Sequence, residues 1–194
     1  MVSLTKETPT TEFAMQSDVG EISVNLLWSK KKKKFFGLFG KQSVDLDLGA
    51  YVKFTNGEQT IIQALGNMFG NFDEPPYIKL RNDDRTGDSE DGEWLYVNGK
   101  HLDEIEEIVI FAFIYEGIPN WTGTDGKVTI QIPGQDVVET ELTEGTKGLS
   151  HCAVARICKK DGILHIQRLN EYFKSHREMD TKYGWGFKWK RGKK

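Results

Sequence analysis

The 194-residue chain has little of what marks membrane-spanning, secreted or nucleic-acid-binding proteins. No run of apolar residues approaches the ~20 that a membrane-spanning helix requires. The N-terminal residues 1–6 lack the charged and then apolar segments of a signal peptide. The formal net charge of −3 gives no global reason to expect nucleic acid as a partner. Together these absences predict a cytoplasmic protein.

Cysteine is also scarce, since Cys152 and Cys158 are the only two. Six residues of extended chain would separate them by about 20 Å, which is beyond disulfide reach. Both fall on the same parity of a strand-like run, so we expect both on one face of a strand as small hydrophobic residues.

Motifs of catalysis are lacking as well. The four histidines are scattered without metal-ligand spacing, and no Gly-x-Ser-x-Gly or other nucleophile motif is present. His176, Glu178 and Asp180 stand two residues apart, as an acid–base set could. On a loop or strand edge, where we place them, such residues more often face solvent. The chain is therefore predicted not to be an enzyme.

What the sequence does contain is short alternating segments separated by turn signals. Apolar and polar residues alternate through residues 44–54, and Asn98-Gly99 is a strong turn signal. Residues 108–115 are apolar on both parities, which predicts a central strand covered on both faces. The pattern predicts an all-β fold, a β-sandwich of two antiparallel sheets with little helix. We divide the chain into a polar lead-in (residues 1–19), holding one edge strand, and a single domain (residues 20–194).

An acidic stretch, residues 82–93, organises the rest of the chain. Six of its twelve residues are carboxylates, and Arg85 is the only cation among them. Oxygen donors without sulfur or imidazole suit a hard ion, Ca²⁺ ahead of Mg²⁺. The EF-hand pattern does not fit in any register, so a site here must be assembled by tertiary folding. The alternative is a solvated acidic loop.

A second acidic pair precedes it on a predicted strand. Asp45 and Asp47 alternate with apolar neighbours, so they share one face, roughly 6–7 Å apart at ~3.3 Å per residue. Two aspartates on one strand face destabilise each other without a partner. We therefore predict a metal site with ligands from two segments, namely Asp45, Asp47, Asp83, Asp84, Asp88, Glu90, Asp91 and Glu93.

Residues 30–41 form a lysine- and phenylalanine-rich insertion between two predicted strands. One interpretation is a mobile hairpin loop. The other is a contact with a partner or an anionic membrane surface, where each lysine contributes ~1 kcal/mol and the phenylalanines insert beside them. The residues of that contact would be Lys30, Lys31, Lys32, Lys33, Lys34, Phe35, Phe36 and Phe39.

Near the C-terminus, residues 183–189 alternate with four aromatics on one parity. This pattern predicts a strand that packs its aromatic side chains into the core. The alternative is base stacking beside the basic residues 188–194.

These segments carry a resemblance to a known family. Residues 44–48 (Val-Asp-Leu-Asp-Leu), residues 82–87 (Asn-Asp-Asp-Arg-Thr-Gly) and the trailing residues 91–93 resemble the TerD family of tellurite-resistance and stress proteins. The run Phe-Ala-Phe-Ile-Tyr-Glu-Gly at residues 111–117 and the closing Tyr-Gly-Trp-Gly-Phe are similar to its TerA branch. The similarity extends over residues 20–189.

The resemblance implies a β-sandwich that binds Ca²⁺ at one end through carboxylates from separated segments. The family's paired aspartates match Asp45 and Asp47, and its later Asp-Asp-Glu falls on residues 91–93, where Gly92 removes one carboxylate. Members of the family often bind two calcium ions, so the missing carboxylate at Gly92 would affect binding of the second ion or the calcium affinity. The resemblance also implies a place at the cytoplasmic face of the inner membrane, with other tellurite-resistance proteins as partners, a membrane-embedded one among them.

Two classes of function follow. The first is a calcium-binding, non-catalytic module of a bacterial tellurite- or stress-resistance complex. The second is a metal-dependent hydrolase that uses the same carboxylates around Mg²⁺ or Mn²⁺. An open coordination position beside a concave pocket would favour the hydrolase, and a closed cage of oxygen ligands would favour the module.

Overall fold

The computed structural model of the chain describes residues 1–15, 19–29, 44–81, 91–117, 119–144 and 147–190. In chain order its strands are β1 (Val2–Ser3), β2 (Thr10–Ala14), β3 (Glu21–Leu27), β4 (Asp45–Phe54), β5 (Gln59–Ile62), β6 (Gly70–Asn71), β7 (Ile78–Leu80), β8 (Glu93–Asn98), β9 (Ile105–Glu116), β10 (Lys127–Gln131), β11 (Val138–Glu141), β12 (His151–Lys160) and β13 (Ile163–Phe173). Short 3-10 helices lie at Leu65–Asn67, Gly99–Glu104 and Trp121–Gly123, and one α-helix, α1, at His176–Tyr183.

The strands form two sheets, and the predicted all-β sandwich is confirmed. The first sheet has the order β1-β11-β10-β3-β8-β7-β6, and the second has the order β2-β13-β12-β9-β4-β5. Neighbours are antiparallel except β1 and β11, which are parallel. The lead-in therefore supplies an edge strand to each sheet, where the sequence predicted one edge strand in total.

The main core lies between the sheets, where every second residue of each strand points inward. Leu46 and Leu48 on β4 face Leu95 and Val97 on β8 across this core, and all four are fully buried. Strand β9 lies inside the second sheet and is buried on both faces, as the sequence predicted.

A second, smaller core covers the outer face of the second sheet. Tyr51, Phe111 and Phe113 contribute their rings from β4 and β9, and Met179 and Trp185 close over them from the C-terminal residues. The sequence prediction was wrong here in one respect. Residues 183–189 do pack aromatics inward, but they form the end of α1 and an irregular segment instead of a strand.

The prediction that Cys152 and Cys158 share a face was also wrong. A β-bulge between Ala153 and Ala155 shifts the register of β12 against both neighbouring strands. Cys152 consequently lies in the main core, whereas Cys158 adjoins the inward-facing Ile157 and is only half-buried. Among the helices of the described residues, none has the length and apolar character needed to cross a membrane.

Candidate metal centre

The first acidic segment begins strand β4. Asp45 is partly exposed, while Asp47 is completely buried beside Phe113 of β9. Because their neighbours Leu46 and Leu48 belong to the main core, strand alternation puts the two aspartates on the opposite face. A buried carboxylate costs free energy unless charge or hydrogen bonds compensate it, so the burial of Asp47 requires such compensation.

The second acidic segment is the start of β8. The side-chain amide of Asn25 on β3 donates to the carbonyl oxygens of Asp91 at 2.9 Å and Glu93 at 3.1 Å. Between them, Gly92 has φ +70°, and a Cβ there would lie 2.1 Å from the carbonyl oxygen of Leu26. The backbone at residue 92 therefore has no room for a side chain, which is a physical reason for glycine at the position where the resembling family has a carboxylate.

The two segments meet at the C-terminal end of β3. Leu26 of β3 is paired with Glu93, and the indole N–H of Trp28 donates to the carbonyl oxygen of Val44 at 3.0 Å. Glu93 has the same parity as the core residue Leu95, so its side chain points toward the second sheet. There its Oε2 accepts a hydrogen bond from the backbone N–H of Leu48 at 2.6 Å. The carboxylate of Glu93 is therefore hydrogen-bonded to Leu48, the residue that follows Asp47 in β4.

The described residues include only part of the predicted ligand set, namely Asp45, Asp47, Asp91 and Glu93. The donors in this region are carboxylate and carbonyl oxygens, which suit a hard cation. Within the described residues, however, no group of three or more His, Cys, Asp or Glu side chains could hold a metal ion. The predicted ligands Asp83, Asp84, Asp88 and Glu90 lie outside the described residues, so the eight-residue ligand set stays a prediction.

The predicted partner or membrane contact also lies outside the described residues. This applies to all of its members: Lys30, Lys31, Lys32, Lys33, Lys34, Phe35, Phe36 and Phe39.

In the structure, His176, Glu178 and Asp180 have separate roles and do not form an acid–base set. They lie on helix α1 rather than on a loop or strand edge. The Glu178 carboxylate accepts from the backbone N–H of Lys174 at 2.7 Å, so it caps the helix. The Asp180 carboxylate accepts from the backbone N–H groups of Gly186 and Phe187 and from the indole N–H of Trp189, at 2.7–3.0 Å. Asp180 therefore fixes the segment that follows α1 onto the second sheet.

His176 belongs to a different group, which the sequence analysis missed. Its Nδ1 lies 2.9 Å from Nε2 of His151, and Nδ1 of His151 lies 2.9 Å from the Ser150 hydroxyl. That hydroxyl donates to the carbonyl oxygen of Lys174 at 3.2 Å. One consistent proton assignment follows, in which each imidazole is neutral and donates toward Ser150.

Burial explains why these imidazoles are neutral. Desolvation, with the neighbouring His176 as a lesser cause, lowers the pKa of His151 to about 3. Desolvation alone lowers the pKa of His176 to about 4. The His176 Nε2 atom is buried without a hydrogen-bond partner in the described structure. The two side chains are 25 residues apart, so spacing alone gave no signal of the pair.

Comparisons with known proteins agree with this architecture. No protein-family model matches the chain. The chain is 45% identical over 197 residues to the tellurium resistance protein TerA of an Alcaligenes species. The alignment covers 100% of this chain but 58% of TerA, so the chain spans less than two thirds of that relative.

A solved structure with a similar fold is the crystal structure of a homologue of the telluride resistance protein TerD from Streptomyces coelicolor A3(2). The superposition has a TM-score of 0.56 and covers 87% of this chain and 98% of that one, at 16% identity. At that identity the likeness establishes the shared fold.

Proposed function

From the 45% identity of the chain to the tellurium resistance protein TerA along its whole length, we propose that it belongs to the same family and is a calcium-binding, non-catalytic module of a bacterial tellurite-resistance complex. The ion would be held by the two acidic segments, Asp45 and Asp47 on one side and residues 83–93 on the other. The observation that carries this proposal is the hydrogen bond from the backbone N–H of Leu48 to the carboxylate of Glu93, because it joins the two strands on which the acidic segments lie.

Calcium suits these donors because it accepts six to eight oxygens in flexible geometry, whereas Mg²⁺ demands near-ideal octahedral coordination. Bound calcium would supply positive charge among carboxylates that repel one another. Asn25 and Trp28 would hold the starts of β8 and β4 in register for it through their bonds to backbone carbonyls. Ligand binding to the folded state alone stabilises it by mass action.

Direct chemistry on tellurite has little support in this chain. Reduction of the oxyanion needs thiolates or a redox cofactor, and burial raises the pKa of both cysteine thiols, Cys152 and Cys158. Raised thiol pKa values reduce the thiolate fraction at neutral pH. We therefore assign the protein an indirect role, in which the calcium-loaded sandwich binds other proteins of the resistance system.

The Ser150–His151 pair does not favour hydrolysis either. The Ser150 hydroxyl donates to a backbone carbonyl, and a base whose pKa is about 3 abstracts protons poorly at neutral pH.

The test is complementation in a bacterial host whose copy of the gene has been deleted. The full gene should restore growth on tellurite, and the same gene carrying Asp47→Asn and Glu93→Gln should not. Glu139→Gln, on β11 next to the edge strand β1 of the first sheet, is the control, with protein levels compared by immunoblot. Full protection by the Asp47→Asn/Glu93→Gln protein would show that the carboxylates are dispensable for function.

A further inference from the structure

A cavity of about 610 Å³ lies on the outer face of the first sheet. It is lined by Glu21, Phe72, Asp73, Lys79, Arg81 and Tyr96. The inward neighbours of the strand residues, including Ile22, Ile78, Leu80, Leu95 and Val97, are fully buried. Strand alternation therefore directs the cavity residues outward. The volume is within the range of small-molecule sites.

Its charges are separated along the strands. Lys79 pairs with Tyr96 across β7 and β8, and the backbone N–H of Arg81 donates to the carbonyl oxygen of Trp94. Glu21 pairs instead with Asn98, four residues from Trp94 along β8, or about 13 Å at ~3.3 Å per residue. The cavity thus has a basic end and an acidic end.

Within the described parts of the chain, these charges are not held in ion pairs. Other lysines of the described chain, such as Lys53 and Lys159, are in ion pairs. Lys79 and Arg81 make no ion pair with any described residue, and the same holds for Glu21 and Asp73 at the other end. Four uncompensated charges around one cavity favour a ligand that is anionic at one end and donates hydrogen bonds at the other.

The aromatic ring of Tyr96 lies between the two ends. The half-exposed rings of Tyr96 and Trp94 are nearly parallel, 7° between planes with centroids 6.2 Å apart. Phe72 also lines the cavity, and the side-chain amide of Asn98 donates to its carbonyl oxygen at 3.0 Å. A planar ring can stack on such aromatic side chains, and stacking of a base contributes ~1–3 kcal/mol.

We propose that this cavity binds a purine nucleoside monophosphate, with the phosphate at Lys79 and Arg81, the base stacked on Tyr96, and the base N–H groups donating to Glu21 and Asp73. Arginine recognises phosphate through paired N–H donors. Carboxylates accept only, so they match the adjacent N–H and amino groups of guanine better than adenine's single amino group.

The test is isothermal titration of the full chain with guanosine 5′-monophosphate in EDTA, which removes calcium as a bridge to phosphate. Guanosine and ribose 5-phosphate are titrated separately, as is a short guanine-containing single-stranded oligonucleotide. We expect the monophosphate to bind more tightly than either half. Tighter binding of the oligonucleotide would overturn the assignment to a free nucleotide.

Two variants separate the ends of the cavity. Arg81→Gln should weaken binding of the monophosphate about tenfold, the loss of a charge-assisted contact. Glu21→Gln should weaken the monophosphate and guanosine but not ribose 5-phosphate. Lys147→Gln, an exposed lysine elsewhere, should leave all affinities unchanged, and melting curves confirm that each variant is folded. Absence of binding by wild type at millimolar monophosphate, or equal binding by Arg81→Gln, would overturn the proposal.

Discussion

The carboxylate of Glu93 accepts a hydrogen bond from the backbone N–H of Leu48 at 2.6 Å, across the two sheets of the sandwich. Leu48 lies on β4 beyond the end of its pairing with β5, which begins at Ala50. Its N–H is therefore available at a strand edge, and Glu93 satisfies it. The contact joins the two acidic segments that the sequence predicted to act together.

Gly92→Ala should destabilise the protein by about 1–3 kcal/mol, the cost of a strained backbone conformation plus a steric contact. The residue has positive φ, and the added Cβ would meet the carbonyl oxygen of Leu26. Gly57→Ala is the matched control, since Gly57 also has positive φ but nothing within 4 Å of a Cβ. Urea denaturation measures both. Equal losses would mean that the close approach to Leu26 contributes nothing.

Asp180→Asn should detach the segment that follows α1. The carboxylate accepts three hydrogen bonds, and an amide offers one oxygen and turns donors toward the remaining N–H groups. We expect a loss of roughly 2–4 kcal/mol and faster hydrogen exchange at Gly186 and Phe187. Asp136→Asn, an exposed residue at the N-terminus contact, should change neither. Unchanged exchange in Asp180→Asn would contradict this account of the tail.

The pH dependence of stability should carry the signature of two buried neutral histidines. The folded-state pKa values of about 3 for His151 and about 4 for His176 lie below the ordinary value of 6.5. The unfolded chain therefore binds these protons first, and stability is lost as pH falls below about 6.5. Above that pH the two groups contribute no dependence.

The measurement is the free energy of unfolding between pH 7 and pH 4, compared with a His151→Gln/His176→Gln protein. Carboxylates common to both proteins cancel in the comparison, so the double variant should lose less stability than wild type over this range. Identical slopes for wild type and the double variant would refute the assignment.

The β-sandwich could be predicted because alternation in the sequence indicates which face of a strand lies toward the main core. Leu46 and Leu48 alternate with Asp45 and Asp47, and the structure buries the two leucines in the main core. The same rule failed at β12, since alternation cannot reveal the bulge between Ala153 and Ala155 that turns Cys158 away from the core.

Helix α1 has a recognisable start and end signal in the sequence. Ser175 and Glu178 have capping-box spacing, and the Ser175 hydroxyl accepts from the Glu178 N–H at 3.2 Å. Gly184, with φ +71°, ends the helix as C-terminal glycines commonly do. The His151–His176 pair could not have been predicted in this way, because it depends on where α1 packs on the second sheet.

The lysine- and phenylalanine-rich segment should bind anionic membranes weakly and in a salt-sensitive manner. Basic charge alone is screened over ~8 Å at physiological salt, so the phenylalanines must contribute apolar burial at about 25 cal/mol per Å². Co-sedimentation with anionic and neutral vesicles, at low and high salt, measures this. Phe35→Ser with Phe36→Ser should reduce binding. Vesicle binding that does not depend on lipid charge, or equal binding by the double variant, would favour the interpretation of this segment as a hairpin loop without a membrane role.

The central claim, a calcium site shared by two segments, is tested most directly by calorimetric titration of the metal-free protein with Ca²⁺. We expect saturable binding that Asp47→Asn and Glu93→Gln each weaken and that Glu139→Gln leaves unchanged. Calcium at 100 times its dissociation constant should raise the free energy of unfolding by ~2.7 kcal/mol, and the melting temperature should rise with it. Mg²⁺ should stabilise the protein less. Equal melting in EDTA and in millimolar calcium, with no heat of binding, would contradict the claim.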